Sequence, residues 1–368
     1  MERHFLFFCS QAYAIPILRP LQTEIQRRGG KAAWFLESSC AADALAADDR
    51  RLHTREEVRE WNPVAVFAPG DYTYDFFPGV KVMVFHGYPI NKRSDAHDVH
   101  FRIRGWYDIY CTQGPSSTPE FKRLEAKHRS FKVYETGWAK TDALIGAKQR
   151  AEAQTTDAPE AKAAGHRPTV FVATTFTQDI TQLRNVFPTI RRLAETGEWN
   201  WVITVHPKLN DPELKADIRK LADSCGNVRF LPLTPSPDVM AATDVMLCDS
   251  SSIILEYMLL DKPVVTFRNN RPGPQLLNVT QTGDIEQALR QALSRPEPLM
   301  TAMRAFIAHH EAHLDGQNCH RILDAVDDFI ANYKGKIRKK PLNLFRKFKI
   351  RMKYRKEQKL KIPSRVVL

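Results

Sequence analysis

The sequence predicts an α/β protein made of two doubly wound, Rossmann-like domains facing each other across a cleft, with a basic helical tail behind them. Two series of short apolar runs alternate with segments of helical periodicity, which argues for parallel sheets covered by helices on both faces. Between the series lies an Ala-rich, polar stretch without aromatics, AKQRAEAQTTDAPEAKAAGHRP. Lys and Arg concentrate at the C-terminal end. The chain has 368 residues, 43% of them hydrophobic and 26% charged, which suits two globular cores and excludes collagen, wholesale disorder and a disulfide-stapled miniprotein.

In the first series, His4–Cys9 reads as a buried strand rather than a leader, since no basic segment or small-residue cleavage site accompanies it. Ile15–Arg28 places Ile17, Leu18, Leu21 and Ile25 on one helical face and ends at Gly29-Gly30. Strands follow at Ala32–Leu36, Val64–Ala68, Val80–Phe85, Asp108–Thr112 and Lys132–Glu135, with a helix at Arg55–Trp61. Residues 1–147 form the expected acceptor-side domain and 148–168 a linker or peripheral helix. The second series has strands at Thr169–Ala173, Trp201–Val205, Val228–Leu231, Asp244–Cys248 and Val264–Phe267. Its helices include Asp211–Cys225, Ile253–Leu260, Ile285–Leu293 and Met300–Ala312, within an expected donor-side domain of residues 169–333.

The net charge of +12 is a property of the tail. Residues 334–368 carry fifteen Lys and Arg against a single acid, Glu357, so this segment is +14 and the remainder is −2. Leu342, Phe345, Phe348 and Met352 recur there at near-helical spacing among the cations, the pattern of an amphipathic helix on an anionic membrane surface. A solvated tail and an RNA-binding tail are the alternatives, but no nucleic-acid-binding fold signal accompanies the aromatics, and no nucleic acid partner is expected. The six cysteines are scattered without a CxxC pair, as small buried hydrophobes of a reducing compartment, which places the chain on the cytoplasmic side of the membrane it would touch.

Three motifs carry chemistry. In VMVFHGYPINK a strand delivers His86 to its carboxyl end, followed by Gly87 and a turn, with Lys92 beyond. Imidazole suits general-base work near neutral pH, and capping of the turn is the alternative role. In VITVHPK a second strand delivers His206, with Lys208 two residues on, where the pair suits a diphosphate and its departing phosphate, and Lys208 also reads as a solvated loop residue. In DVMLCDSSSIILE a buried strand runs through Asp249 and Ser250 into Ser251 and Ser252 at the start of a helix, with Glu256 about one turn further. Free backbone N–H groups there suit a nucleotide diphosphate and Glu256 suits ribose hydroxyls, while N-capping explains one serine but not three. A fourth segment, HLDGQNCHR from His313, reads equally as a substrate-proximal turn or a plain loop-to-helix junction. The sequence contains no GxGxxG, P-loop, GxSxG, HExxH or clear DxD motif, so no cofactor and no metal are indicated.

Taken in order from about Val80 to Arg321, these blocks resemble the CDP-glycerol glycerophosphotransferases, the TagF- and TagB-like polymerases and primases of teichoic acid synthesis. DSSSIILEYMLLDKPVV carries most of the likeness and HGYPINK the next share. The resemblance implies a GT-B fold, a CDP-alcohol donor, a lipid-linked or glycan acceptor, and metal-free transfer of glycerol phosphate with release of CMP. It implies His86 as base, His206 as the second histidine, Ser251 and Ser252 at the donor phosphates and Glu256 at the ribose. Gly87, Lys92, Asp142, Lys208, Asp249 and Ser250 fall in the matching substrate-binding blocks. The chain departs from the family pattern at Tyr88 and Asn91, in Gly137-Trp138-Ala139-Lys140-Thr141-Asp142, and at Ser250. The same frame also suits a nucleotide-sugar glycosyltransferase of lipopolysaccharide or capsule, and a non-catalytic scaffold acting through the tail is the alternative of another class.

Overall fold

The computed structural model describes residues 2–40, 44–90, 100–156, 167–175, 180–206, 209–232 and 235–361. The chain divides into two compact units, the first comprising residues 1–89, 95–142 and 310–368, the second 90–94 and 143–309. The expected domain ends at 147 and 333 therefore differ from the unit boundaries, which fall inside helices near Asp142 and His310. Of the two expectations for the segment from 148, a linker or a peripheral helix, residues 148–156 form the end of a helix that begins at Ala139.

Unit 1 is a six-stranded, all-parallel sheet in the order β2-β1-β3-β4-β5-β6. Its strands are β1 (His4–Cys9), β2 (Lys31–Leu36), β3 (Ala65–Ala68), β4 (Val80–Met83), β5 (Ile109–Thr112) and β6 (Lys132–Glu135). The run Phe5-Leu6-Phe7-Phe8-Cys9 is apolar throughout because both faces are covered. Phe5, Phe7 and Cys9 enter one core with Leu18, Leu21 and Ile25 of helix α1 (Ala14–Arg27). Leu6 and Phe8 enter the other core with Val58 and Trp61 of helix α2 (Arg55–Trp61), where Thr54 caps the first turn. Helices α3 (Thr118–His128) and α4 (Ala139–Thr156) follow β5 and β6.

Unit 2 repeats the plan in the order β12-β11-β10-β7-β8-β9, again all parallel. Its strands are β7 (Thr169–Ala173), β8 (Asn200–Thr204), β9 (Val228–Leu231), β10 (Val245–Cys248), β11 (Val264–Phe267) and β12 (Leu277–Val279). The last is three residues long and half-buried, too short for periodicity to reveal. Helices α5 (Leu183–Glu195), α6 (Pro212–Ser224), α7 (Pro237–Ala241), α8 (Ile253–Met258), α9 (Ile285–Leu293) and α10 (Glu297–His310) complete the series. Asp211 caps α6 and Ser236 caps α7, each followed by Pro at the first helical position.

From His310 the chain belongs to unit 1, where helix α11 (Asn318–Asp328) packs Ile322, Leu323 and Val326 into the core shared by α1. The basic tail forms helix α12 (Leu344–Lys361), which lies against unit 1. Five of the six cysteines are buried and all are free. Among the described residues no helix is long and apolar enough to cross a membrane.

Candidate functional site

In an open parallel sheet, ligands bind at the carboxyl ends of the strands where the strand order reverses. In unit 1 that reversal lies between β1 and β3, with β4 next in line. His86 follows β4 by three residues and stands on this crest. The residue before it, Phe85, is buried with φ +54°, a left-handed conformation that a bulky side chain adopts only under constraint. The constraint is visible: the Phe85 ring stacks on His100 and meets Phe121 edge-on, and its carbonyl accepts the Trp138 indole N–H at 3.2 Å. The twist turns His86 outward, exposed, with its ring 5.3 Å from that of Tyr13 after β1. Nδ1 lies 3.2 Å from the carbonyl of Pro69 after β3. A carbonyl only accepts, so Nδ1 carries the proton and, in the neutral ring, Nε2 keeps its lone pair. This is the tautomer a general base needs.

The turn that follows His86 rests on a buried carboxyl that sequence reasoning passed over. Glu311 is 2% exposed and accepts from the Tyr88 hydroxyl at 2.5 Å, the Trp138 backbone N–H at 3.2 Å, Thr141 Oγ1 at 3.1 Å and Asn318 Nδ2 at 3.2 Å. Burial pushes its carboxyl up to about 7 despite those donors. Gln113, fully buried, donates Nε2 to the Gly87 carbonyl at 2.7 Å and accepts the Ala312 N–H at 2.9 Å. The loop from Gly87 to Tyr88 is thus fastened from below by Gln113 and Glu311. The signal was available in Tyr88, which keeps a hydroxyl where the resembled family has threonine, and in the Glu311 that follows His309-His310.

Asp142 takes a different part from the expected one. Its two oxygens accept the N–H groups of Asn318 at 2.9 Å and Cys319 at 2.7 Å, so it serves as the cap of α11. Burial raises its carboxyl above the usual range, with those two N–H groups opposing. Its neighbour Gly137 has φ +76° and lies so close to Asn318 that a Cβ would meet the amide at 2.4 Å.

In unit 2 the strand order reverses between β7 and β10. Asp249, directly after β10, is fully buried and accepts the Thr175 N–H at 2.9 Å and the Gln182 N–H at 3.3 Å, fastening the segment after β7 to the crest. Burial raises this carboxyl too. Asn269 Nδ2 donates to the Asp249 carbonyl at 2.6 Å, and Ser250 Oγ accepts the Asn270 N–H at 3.0 Å. Asp249 and Ser250 therefore build the crest, and Ser251, half-buried, and Ser252, exposed, are what it presents. Ser252 makes no capping bond, so its hydroxyl is not committed to the helix. Helix α8 ends at Met258 rather than the expected Leu260, and six residues carry only a small dipole. The Thr174 hydroxyl on the same crest is buried and has no hydrogen-bond partner among the described residues. His206 stands half-buried two residues beyond β8, and Glu256 lies half-buried on α8. Lys92 and Lys208 lie outside the described residues.

Comparison with known proteins adds a family and a fold. A family model described as UDP-N-acetylglucosamine 2-epimerase matches residues 116–327, more than half of the chain. The crystal structure of UDP-GlcNAc 2-epimerase from Neisseria meningitidis bound to UDP-GlcNAc is similar at a TM-score of 0.56 and 17% identity, over 89% of this chain and 100% of that one. The S. aureus MnaA–UDP structure is similar at 0.60 and 16%, over 93% and 99%. The wall teichoic acid polymerase TagF is similar at 0.62 and 12%, over 89% of each chain. No curated protein matches the sequence. At such identities the likeness is one of fold, and with two six-stranded parallel sheets and flanking helices the chain has the α/β GT-B-like fold expected. The expected kinship with TagF is present as structural likeness, whereas the family model that matches is the epimerase one.

Proposed function

This chain belongs to the UDP-N-acetylglucosamine 2-epimerase family, and we propose that it is an enzyme acting on a nucleotide diphosphate-linked substrate, with His86 as the proton acceptor. The observation that carries this reading is the His86–Pro69 hydrogen bond of 3.2 Å on a constrained turn, which leaves Nε2 as the basic atom of an exposed imidazole. In unit 2 the crest formed by Thr174, Ser251 and Ser252 supports binding of a diphosphate by hydroxyl and backbone N–H groups, with Glu256 for the ribose and His206 for charge on the leaving group. The finer assignment is transfer of a polyol phosphate, such as glycerol phosphate, from a CDP-alcohol to an acceptor hydroxyl on a glycan or lipid-linked chain. The hydroxyl oxygen bonds to the β-phosphorus, its proton passes to Nε2 of His86, and the bond to CMP breaks. Positioning and electrostatics suffice for such a reaction. What favours it is the aspartate–serine block together with the fold likeness to TagF.

The family match favours a second reading, in which the substrate is a UDP-N-acetylhexosamine and the proton removed is on the sugar. One experiment separates the two. The purified protein is incubated with CDP-glycerol, CDP-ribitol and UDP-N-acetylglucosamine, each with and without acceptor, and nucleotide release and sugar epimerisation are followed by chromatography and NMR. CMP release that requires acceptor supports transfer, while UDP release or a 2-epimer supports the second reading. In either case His86→Ala lowers turnover by roughly 10²–10⁴-fold with unchanged circular dichroism. Near-wild-type turnover in that variant defeats the base assignment.

A further inference from the structure

Helix α12 has two unlike faces. One of its faces is fixed to unit 1. Asn343 Nδ2 and Arg346 donate to the Arg104 carbonyl at 3.1 and 2.9 Å, and Ile350 and Tyr354 pack against the core that holds Phe35, Tyr74 and Phe77. The Tyr354 hydroxyl accepts the Arg55 N–H at 2.8 Å, Arg351 pairs with Asp75 at 2.7 Å, and Glu357 accepts the Ser38 N–H at 2.7 Å. Lys353 reaches inward to Glu37, which is 1% exposed, at 2.7 Å, and the same carboxylate accepts from the hydroxyls of Tyr72 and Tyr74. The helix is thus a folded part of unit 1 and not a solvated tail.

Among the described residues nothing covers the opposite face. Leu342 and Leu344 are 72% and 71% exposed, Phe345 69%, Phe348 62% and Met352 45%. Among the described residues these five make up most of the exposed large hydrophobics, and Tyr13 and Leu314 are the others. Phe345, Phe348 and Met352 repeat at i, i+3 and i+7, a single stripe. Lys349 sits 4.5 Å over the Phe345 ring, and the same face continues into Arg355, Lys356 and Lys359, all exposed. An apolar stripe bordered by cations complements an anionic bilayer, whose acyl region takes the rings and whose headgroups take the ammonium and guanidinium groups.

We propose that the exposed face of α12 docks this protein on an anionic lipid surface, lying in the interface with Phe345, Phe348 and Met352 inserted. The inference stands on unit 1 and the tail, and it holds whichever nucleotide the protein uses. An isolated amphipathic peptide has to fold as it binds. Here the hydrogen bonds to unit 1 hold the helix in advance, so a short stripe suffices. The docked face also fixes how unit 1 meets the surface, because Lys353 and Tyr354 forbid rotation of the helix about its axis.

The test uses the full chain and vesicles of phosphatidylcholine with and without phosphatidylglycerol, read by co-sedimentation. Binding is expected with the anionic vesicles, weakening as salt is raised, and negligible with the neutral ones. Phe345→Ser and Phe348→Ser each lower partitioning by about tenfold while circular dichroism and thermal unfolding stay at wild type, since both side chains lie in solvent. Equal binding to neutral and anionic vesicles, or undiminished binding by the double variant, overturns the proposal. So does a concentration-dependent dimer that the same double variant abolishes without any vesicle binding, which would make the occupant a second copy of the chain. Retention of the wild-type chain by an oligonucleotide in place of vesicles overturns it as well.

Discussion

The carboxyl of Glu311 makes the stability of unit 1 depend on pH in a direction opposite to that of a surface acid. Burial raises it from its ordinary value of 4.5 to about 7. Between those values the folded chain holds a proton that the unfolded chain has released, so stability falls as pH rises and levels off above about 7. The stabilisation present below pH 4.5 is lost in that window. A displacement of this size corresponds to about 2–4 kcal/mol, and Glu311 is too buried for solvent to screen it. In Glu311→Gln the group no longer titrates. The amide has a constant cost of its own, because its N–H₂ meets donors from Tyr88, Trp138 and Asn318, but that cost is the same at every pH. The assay is thermal unfolding of wild type and variant across pH 4 to 8, taking the difference. For a unit of roughly 200 residues the difference between the two midpoints should change by roughly 5–12 °C over this range, the variant gaining relative to wild type as pH rises. A flat difference, or one of opposite sign, refutes the argument and means that the four donors hold the carboxylate ionised.

Two further substitutions probe the scaffold. Gly137→Ala puts a Cβ at 2.4 Å from the buried Asn318 amide at φ +76° and should destabilise unit 1 by about 3–5 kcal/mol, whereas Gly335→Ala, at φ +79° with nothing within 4 Å, should cost about 1 kcal/mol; urea unfolding compares them. Asp249→Ala strips the Thr175 and Gln182 N–H groups of their acceptor and should destabilise unit 2 by about 2–4 kcal/mol, with at least about tenfold weaker nucleotide binding by calorimetry, and unchanged affinity would detach the crest from nucleotide recognition.

Most of the fold was legible because both faces of each sheet are covered. A strand buried on both sides reads as an unbroken apolar run, and His4–Cys9, Thr169–Ala173 and Val245–Cys248 all stand where such runs occur. What escaped has a physical reason in each case. Strand β12, Leu277–Val279, is three residues long and half-buried, so it has no pattern to detect. The return of residues 310–368 to unit 1 depends on contacts far apart in sequence, such as Tyr134 with Asp328 at 2.5 Å, and local periodicity carries no record of its partner. The tail's periodicity was visible, but the face held by unit 1 mixes Ile350 and Tyr354 with charged groups, so the sequence showed only the stripe and hid the anchoring through Lys353, Arg351 and Glu357.

The candidate sites show the same division within single motifs. A pattern of residue types marks where a crest lies, but it does not distinguish the groups that build the crest from those that face a ligand. Asp249 and Glu311 are buried and Asp142 is half-buried, and each gives oxygens to N–H donors of the chain itself: the segment after β7, the backbone of Trp138, and the start of α11. A carboxylate so placed is a poor ligand group, because any ligand would have to displace backbone donors that then have no other partner. His86, Ser251 and Ser252 differ in just this respect. His86 uses one nitrogen to fix its ring and leaves the other outward, and Ser252 makes no bond to its helix. Apolar strand ends therefore marked the two crests, and hydrogen-bond accounting separates their parts: the acids hold the loops, while among the described residues His86 Nε2 and the Ser252 hydroxyl beside them are not spent on fixing those loops, which is what the proposed roles need.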